Sequence, residues 1–157
     1  MLRLLVELKR DRRIEGRATL FDVAPPDRPV VIGGPWPCLG RAAQELANAA
    51  GNPERLAVRK SGDTPTGRYA PARLVDLPEG HRLGPCWLPL SAAADGDAVE
   101  AIGANGRRGL GIHAGRPRRD GKLIPTEGCV RVDPETILDI ERLALGRPIE
   151  TVITQTD

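Results

Sequence analysis

The chain has 157 residues, of which 40% are hydrophobic and 28% charged, and its formal net charge is +2 at pH 7. This size and balance predict one folded domain over residues 1–157 with a core of its own, and they argue against a disordered chain. Only 3% of the residues are aromatic and the basic residues form no concentrated stripe, so the composition gives no case for nucleic-acid binding. The sequence has no apolar run of about 18 residues, and we therefore expect no membrane span.

Turn-forming residues are frequent along the whole chain, with 18 glycines and 15 prolines. This composition favours many short strands over a helical bundle. Residues 2–9 place leucine and valine at alternate positions, a period of two that predicts a half-buried strand. A second strand is predicted over 14–23 and a break at 25–27. A short apolar strand follows at 30–32 and is expected to end at the next two glycines.

The middle of the chain predicts one helix and several short strands. Residues 41–50 are rich in Ala, Leu, Gln and Glu and precede Gly51, which predicts a helix with a glycine stop. Pro71 cannot donate to a strand ladder, so the strand that contains it is expected at a sheet edge. The predicted strands of this region cover 56–58, 68–75, 86–88 and 98–102.

The C-terminal part predicts a second helix. Asp133 is a suitable N-cap, Pro134 suits the first helical position, and an acidic residue follows in the first turn. An apolar stripe continues until Gly146, and a last strand is predicted over 148–154. The sequence therefore predicts a mainly β fold with two short helices, over about 41–50 and 134–145.

Residues 109–132 contain the residues most suited to catalysis. His113 and Cys129 are each flanked by glycine, and a loop-like connector separates them. A thiolate is a good nucleophile when a nearby imidazole takes its proton. Gly128 leaves space for a substrate carbonyl beside the thiol, and Arg131 shares the face of Cys129 if the segment is extended. The alternative is that Cys129 is a small buried hydrophobe and His113 a histidine of the core.

The remaining candidate residues give weaker signals. Cys38 and Cys86 either pair in an oxidising compartment or remain isolated thiols, and no cysteine or histidine spacing fits a zinc site, so no metal is expected. His81 lies in turn-like sequence and is a poor candidate for the base. The arginines at 116, 118 and 119 are interpreted as a solvated loop, with the capacity to attract an anionic substrate.

Three segments together resemble a known family. They are the run Ile112-His113-Ala114-Gly115, the run Thr126-Glu127-Gly128-Cys129-Val130-Arg131, and the upstream turn Thr64-Pro65-Thr66-Gly67. In this order and spacing they resemble the motifs of the L,D-transpeptidase (YkuD-type) catalytic domain, over about residues 55–132. Two positions depart from the family pattern: Glu127 stands where His is frequent, and Ala114 stands where Gly or Ser is more usual.

The resemblance implies a β-sandwich enzyme that acts on peptidoglycan stem peptides through a thioester, without metal or organic cofactor. Cross-linking, D-amino-acid exchange and L,D-carboxypeptidase activity all fit this chemistry, and carbapenems are expected to act as acylating mimics. Cys129 is the implied nucleophile, His113 the base, and the backbone around Gly128 and Cys129 the oxyanion site. The implied substrate-binding residues are Arg131, Thr126, Ala114 and Tyr69. Two of these assignments have open alternatives: Arg131 either binds a carboxylate or braces the loop, and Tyr69 either lines the groove or belongs to the core.

The resemblance also implies a location in the periplasm or at the cell surface. The N-terminal apolar run is interrupted by Arg3 and Glu7 and has no small-residue cleavage site, so it does not fit a signal peptide. A cytoplasmic location and non-classical export therefore stay open. Three other functions remain as alternatives: an exported antibacterial effector with an immunity protein as its partner, a non-catalytic peptidoglycan-binding module, and another Cys–His hydrolase such as an amidase.

Overall fold

The structure is a computed structural model that describes residues 1–24 and 27–157. Within these residues it contains nine strands and three helices. The helices are α1 (Gln44–Ala49), α2 (Asp97–Val99), which continues as a π-helical turn (Glu100–Ala104), and α3 (Pro134–Ala144). The strands are β1 (Leu2–Lys9), β2 (Gly16–Asp22), β3 (Val30–Leu39), β4 (Gly67–Ala72), β5 (Val75–Asp76), β6 (Cys86–Pro89), β7 (Gly111–His113), β8 (Val130–Val132) and β9 (Ile149–Thr156).

Hydrogen bonds join the strands into one curled, mixed sheet in the order β4-β9-β1-β2-β3-β8-β7-β6-β5. The pairs β1–β9 and β7–β8 are parallel, and the other neighbours are antiparallel. The prediction of a mainly β fold is confirmed. The finer prediction of a sandwich is not confirmed, because the pairing runs without interruption from β4 to β5.

Strand β1 lies near the middle of this sheet and shows why the sequence folds as it does. Its residues at 2, 4, 6 and 8 are buried, while the alternate positions are partly exposed, which confirms the period of two read from the sequence. Strand β9 pairs with β1 over eight residues and contributes Ile149 and Ile153 to the same core. Helix α3 covers the core on the side of β3 and β6 through Ile137 and Ile140.

Two predicted strands are wrong. Residues 56–58 form turns, because their carbonyl groups bond to the side chains of Asn52, Asn105 and Arg107 instead of to a neighbouring strand. Residues 98–102 lie in α2 and the π-helical turn. There the buried alanines stand three positions apart, at 98 and 101, which is a helical spacing rather than a strand spacing.

The bounds of the other elements differ from the prediction in smaller ways. Strand β3 continues past Gly33 and Gly34 to Leu39, and the register of its pairing with β2 shifts near this point. Helix α1 is shorter than the predicted 41–50, and α3 matches the predicted 134–145 to within one residue. The break predicted at 25–27 falls partly on Pro25 and Pro26, which lie outside the described residues. No helix in the described part of the chain is long and apolar enough to cross a membrane.

Candidate active site

The parallel pair β7–β8 brings His113 and Cys129 to one face of the sheet. His113 is the last residue of β7 and pairs with Arg131 of β8, while Cys129 immediately precedes β8. Val130 and Val132 are fully buried in the core, so their neighbours at 129 and 131 take the other face. Cys129, His113 and Arg131 all line one cavity of about 730 Å³.

The Cys129 thiol is nearly buried, with 8% of the residue exposed. Within the described residues, its Sγ donates to the Gly109 carbonyl oxygen at 3.2 Å, and no hydrogen bond joins it to His113. Burial raises the pKa of the Cys129 thiol above its ordinary value of 9.0. A backbone hydrogen bond from Gly111 and the positive charges of Arg107 and Arg131 act in the opposite direction, toward a lower pKa.

The imidazole of His113 is also buried, with 3% of the residue exposed. Burial and the neighbouring Arg131 guanidinium lower the pKa of His113 to about 4. Its Nδ1 has no hydrogen-bond partner among the described residues. At neutral pH the two groups are therefore a neutral thiol and a neutral imidazole, and the imidazole is free to accept a proton.

The loop that carries Cys129 is shaped by a hydroxyl group. Thr126 Oγ1 donates to the Cys129 carbonyl oxygen at 2.8 Å and accepts from the Gly128 N–H at 2.9 Å. Thr126 thus shapes this loop, and its hydroxyl is already engaged within the protein, so a role of Thr126 in substrate binding stays a prediction. The Gly128 N–H was expected to help bind an oxyanion; in this structure it donates to Thr126 instead.

A second threonine, which the sequence analysis did not assign to the site, holds the same loop from the opposite side. Thr64 is fully buried, and its Oγ1 donates to the Gly128 carbonyl oxygen at 2.6 Å. The backbone of Thr64 is held in turn, because its N–H donates to Gly40 and its carbonyl accepts from the buried guanidinium of Arg12. The Thr64-Pro65-Thr66-Gly67 turn therefore anchors the loop of residues 126–129, which carries Cys129 and is called the nucleophile loop below.

Arg107 is another site residue that the sequence analysis missed. Its buried guanidinium donates to four backbone carbonyls at 2.5–3.4 Å, those of Ala57, Gly62, Asp63 and Glu127. No local pattern distinguishes this arginine from Arg108 beside it. Its contacts join the segment around residue 60 to the nucleophile loop.

The position of Arg107 corrects the role predicted for Gly128. A Cβ at residue 128 would lie 2.1 Å from Arg107 Nη2 and 2.6 Å from the Gly62 carbonyl oxygen, and φ is +124°. Glycine is required here by this close packing and by the backbone conformation. The space beside Gly128 that was expected to admit a substrate carbonyl is filled by the protein itself.

Arg131 lines the cavity but directs its guanidinium at the connecting loop. Nε donates to the Ile124 carbonyl oxygen at 2.9 Å, and the two terminal nitrogens donate to the carbonyls of Ala114 and Pro125. These contacts are those of a brace, the alternative role considered for this residue. Binding of a substrate carboxylate by Arg131 stays a prediction.

Two residues expected to bind substrate do not line the cavity. Tyr69 is fully buried, its hydroxyl donates to the Pro65 carbonyl oxygen at 2.8 Å, and it packs in the core. Ala114 is also a core residue, 1% exposed, and it offers only its carbonyl to Arg131. Tyr69 thus has the environment of the alternative considered for it, a core residue, and a role in substrate binding for either residue stays a prediction.

The three arginines of the connecting loop have different environments. Arg118 forms ion pairs with Glu15 and Asp133, at 2.8 Å in each case, and fixes the loop to the rest of the domain. Arg116 and Arg119 instead are exposed and line the cavity. Arg116 and Arg119 thus fit the predicted solvated loop, whereas Arg118 is structural.

The other two cysteines lie in the core. Cys38 and Cys86 are buried and free, so they do not pair with each other, and burial raises the pKa of each thiol to about 12. Among residues 1–24 and 27–157, no three His, Cys, Asp or Glu side chains come together in a group that could hold a metal ion. Of the three cysteines, Cys129 is the one that lines the cavity of about 730 Å³ described above.

Comparison with known proteins shows a similarity of fold and nothing more. No protein-family model matches the chain, and no curated protein matches it. Among solved structures it is similar to Bd1075 of Bdellovibrio bacteriovorus, with a TM-score of 0.58 and 14% sequence identity. The similarity covers 97% of this chain and 48% of that one, so this chain spans about half the length of the protein it matches.

Proposed function

We propose that this chain is a cysteine-dependent, L,D-transpeptidase-like enzyme that acts on peptidoglycan stem peptides. The observation that carries the proposal is that Cys129 and His113 line one cavity. His113 is the last residue of β7, and Cys129 immediately precedes the adjacent parallel strand β8. The motif resemblance over residues 55–132 supplies the substrate class. The same resemblance supports an L,D-transpeptidase-like sandwich as the finer description of the curled sheet, and a periplasmic or cell-surface location.

The proposed reaction uses the neutral pair directly. His113 takes the thiol proton as Cys129 Sγ attacks the carbonyl carbon of an L,D-peptide bond, and the imidazolium then returns the proton to the departing amine. A second amine or a water attacks the resulting thioester with His113 again as base, which frees the thiol. Because the Gly128 N–H is engaged by Thr126, the Cys129 N–H is the remaining candidate of this loop for binding the oxyanion.

The unpartnered Nδ1 of His113 supports this role. A buried polar atom without a hydrogen bond is costly in a folded protein and calls for an explanation, which a proton-accepting role supplies for His113. A pKa near 4 makes His113 a weak base before substrate binds. It becomes a stronger base when a substrate with negative charge enters beside it and offsets Arg131.

The proposal is tested by intact mass measurement after incubation with a carbapenem. Wild type is expected to gain one covalent adduct, Cys129→Ala none, and His113→Ala an adduct that forms more slowly. Cys86→Ala is the matched control, because it removes a buried thiol outside the cavity and should acylate like wild type. An unmodified wild type, or an adduct that survives in Cys129→Ala, would reject Cys129 as the acylated nucleophile.

One observation favours a second candidate, a non-catalytic peptidoglycan-binding module of the same fold. The thiol donates to the Gly109 carbonyl instead of to the imidazole, and burial holds both groups neutral. A binding module would retain muropeptides with equal affinity in wild type and Cys129→Ser. It would form no thioester with them at any time of incubation.

A further inference from the structure

The cavity that contains Cys129 is lined by an excess of positive charge. Seven basic and two acidic side chains line it, a formal excess of five charges, whereas the whole chain carries only +2. The remainder of the protein is therefore net negative, and the positive charge is concentrated at this one concave surface. Such a surface attracts anions, and low-dielectric walls strengthen the effect.

Five of the seven basic residues are free to contact a ligand. Arg107 and Arg131 are buried and donate to backbone carbonyls, as described above. The side chains of the others are exposed, and in the described part of the chain they form no ion pair and no hydrogen bond. These rim cations are Lys60, Arg82, Arg108, Arg116 and Arg119.

Two rim cations act on buried basic groups beside Cys129. Burial is the main cause of the lowered pKa of His113, and the Arg82 guanidinium adds to it. Burial is likewise the main cause of the lowered pKa of Arg131, and Arg116 adds to it. The positive groups thus repel one another in the cavity. A ligand with several negative charges would relieve this repulsion, whereas a neutral ligand would leave it in place.

We propose that the cavity selects an acyl donor with at least two free carboxylates near the bond it attacks, and that rim cations such as Arg82, Arg116 and Arg119 bind them. This inference rests on the proposed function for the identity of the donor. It adds that a stem peptide whose carboxylates are amidated is a poor substrate. It also assigns Arg82 and Arg116 as specificity residues, although neither lies in the motifs that resemble the family.

The first experiment measures charge selection without any peptide. Cys129 is alkylated with neutral iodoacetamide and with anionic iodoacetate, and the ratio of the two rates is divided by the same ratio for free cysteine. Wild type is expected to favour iodoacetate. Arg82→Gln and Arg116→Gln are each expected to reduce the preference roughly threefold, the size expected for the loss of one solvent-screened unit charge near the thiol. Salt should reduce the preference in wild type. Arg73→Gln removes an exposed cation outside the cavity and is the matched control.

The second experiment uses a stem tetrapeptide with free side-chain carboxylates and the same peptide with those carboxylates amidated. The kcat/KM of wild type is expected to fall about tenfold on amidation, from two charges at roughly threefold each. In the double variant Arg82→Gln/Arg116→Gln the same amidation should have little effect. Equal sensitivity to amidation in wild type and in the double variant would overturn the inference.

The two experiments separate this inference from the proposed function. If the thioester forms but neither iodoacetate nor the free peptide is preferred, charge selection is wrong and the transpeptidase-like chemistry stands. If iodoacetate is preferred but neither peptide acylates Cys129, the proposed function fails and with it the assignment of a peptide donor. If Cys129 reacts with neither iodoacetamide nor iodoacetate, both the proposed function and the charge selection are refuted, because the thiol would then not be open to the cavity.

Discussion

The hydrogen bond from Thr64 to Gly128 gives the most direct test of how the nucleophile loop is held. Thr64→Val replaces the hydroxyl by a methyl group of similar size and leaves the buried Gly128 carbonyl without this donor. An unsatisfied buried carbonyl costs roughly 1–3 kcal/mol. For a chain of this length about 2 kcal/mol corresponds to a fall in Tm of about 4–8 °C.

The same turn contains a matched control. Thr66 is partly buried, two residues further along, and its side chain forms no hydrogen bond within the described residues. Thr66→Val is therefore expected to change the free energy of unfolding by no more than about 0.5 kcal/mol. Both variants are measured by urea unfolding and by thermal unfolding at one pH.

A local readout accompanies the stability measurement. When Gly128 loses the bond to Thr64, the loop of Cys129 has one anchor fewer, although its bonds to Thr126 and Arg107 remain, and the thiol should become more accessible. We expect Thr64→Val to alkylate faster with iodoacetamide than Thr66→Val. If the two variants unfold within about 0.5 kcal/mol of each other, the anchoring role of Thr64 is refuted.

Two further changes test the packing and the charge state of the site. Gly128→Ala places a Cβ 2.1 Å from its nearest neighbour in a left-handed conformation, and in urea unfolding it should lower the free energy of unfolding by more than about 3 kcal/mol. The control Gly103→Ala has open space around the Cβ and should cost less than about 1 kcal/mol. Equal costs would contradict the packing at 128. His113 has a folded pKa of about 4, below the ordinary 6.5 of the unfolded chain, so the unfolded state binds more protons between these values. The titration of His113 should therefore lower the free energy of unfolding by about 3 kcal/mol from pH 7 to pH 4. His113→Gln should lack that part of the fall. An equal fall in both proteins would show that the pKa of His113 is not lowered on folding.

The sequence predicts the elements whose signal is local. The alternation in β1, the proline and acidic start of α3 and the edge position of β4 all follow from patterns within about ten residues, and the structure confirms them. The glycines and the loop-like connector that mark His113 and Cys129 were also readable locally, but the parallel pairing of the two strands was not predicted. Residues 98–102 show the limit of such patterns, since a short apolar run fits a strand and a helix equally well.

Contacts that join distant parts of the chain were not accessible in this way. Thr64 lies 64 positions from its partner Gly128, and Arg107 lies 45 positions from Gly62. Both bonds end on backbone carbonyls, which every residue carries, so the identity of the partner gives no signal in the sequence. Only the path of the folded chain determines which carbonyl is reached.

The arginines around Cys129 show why residue type alone does not define a role. The sequence pointed to Arg131 as a cation beside the thiol and left open whether it binds substrate or braces the loop. In the structure the guanidinium groups of Arg131 and Arg107 donate to backbone carbonyls around the loop that carries Cys129. Their positive charges also act toward a lower pKa of the Cys129 thiol. Cations without protein partners, such as Arg82 and Arg116, lie farther out, on the rim of the cavity. Selectivity for an anionic substrate can therefore be changed at the rim without loosening the loop, because the two tasks are carried by different arginines.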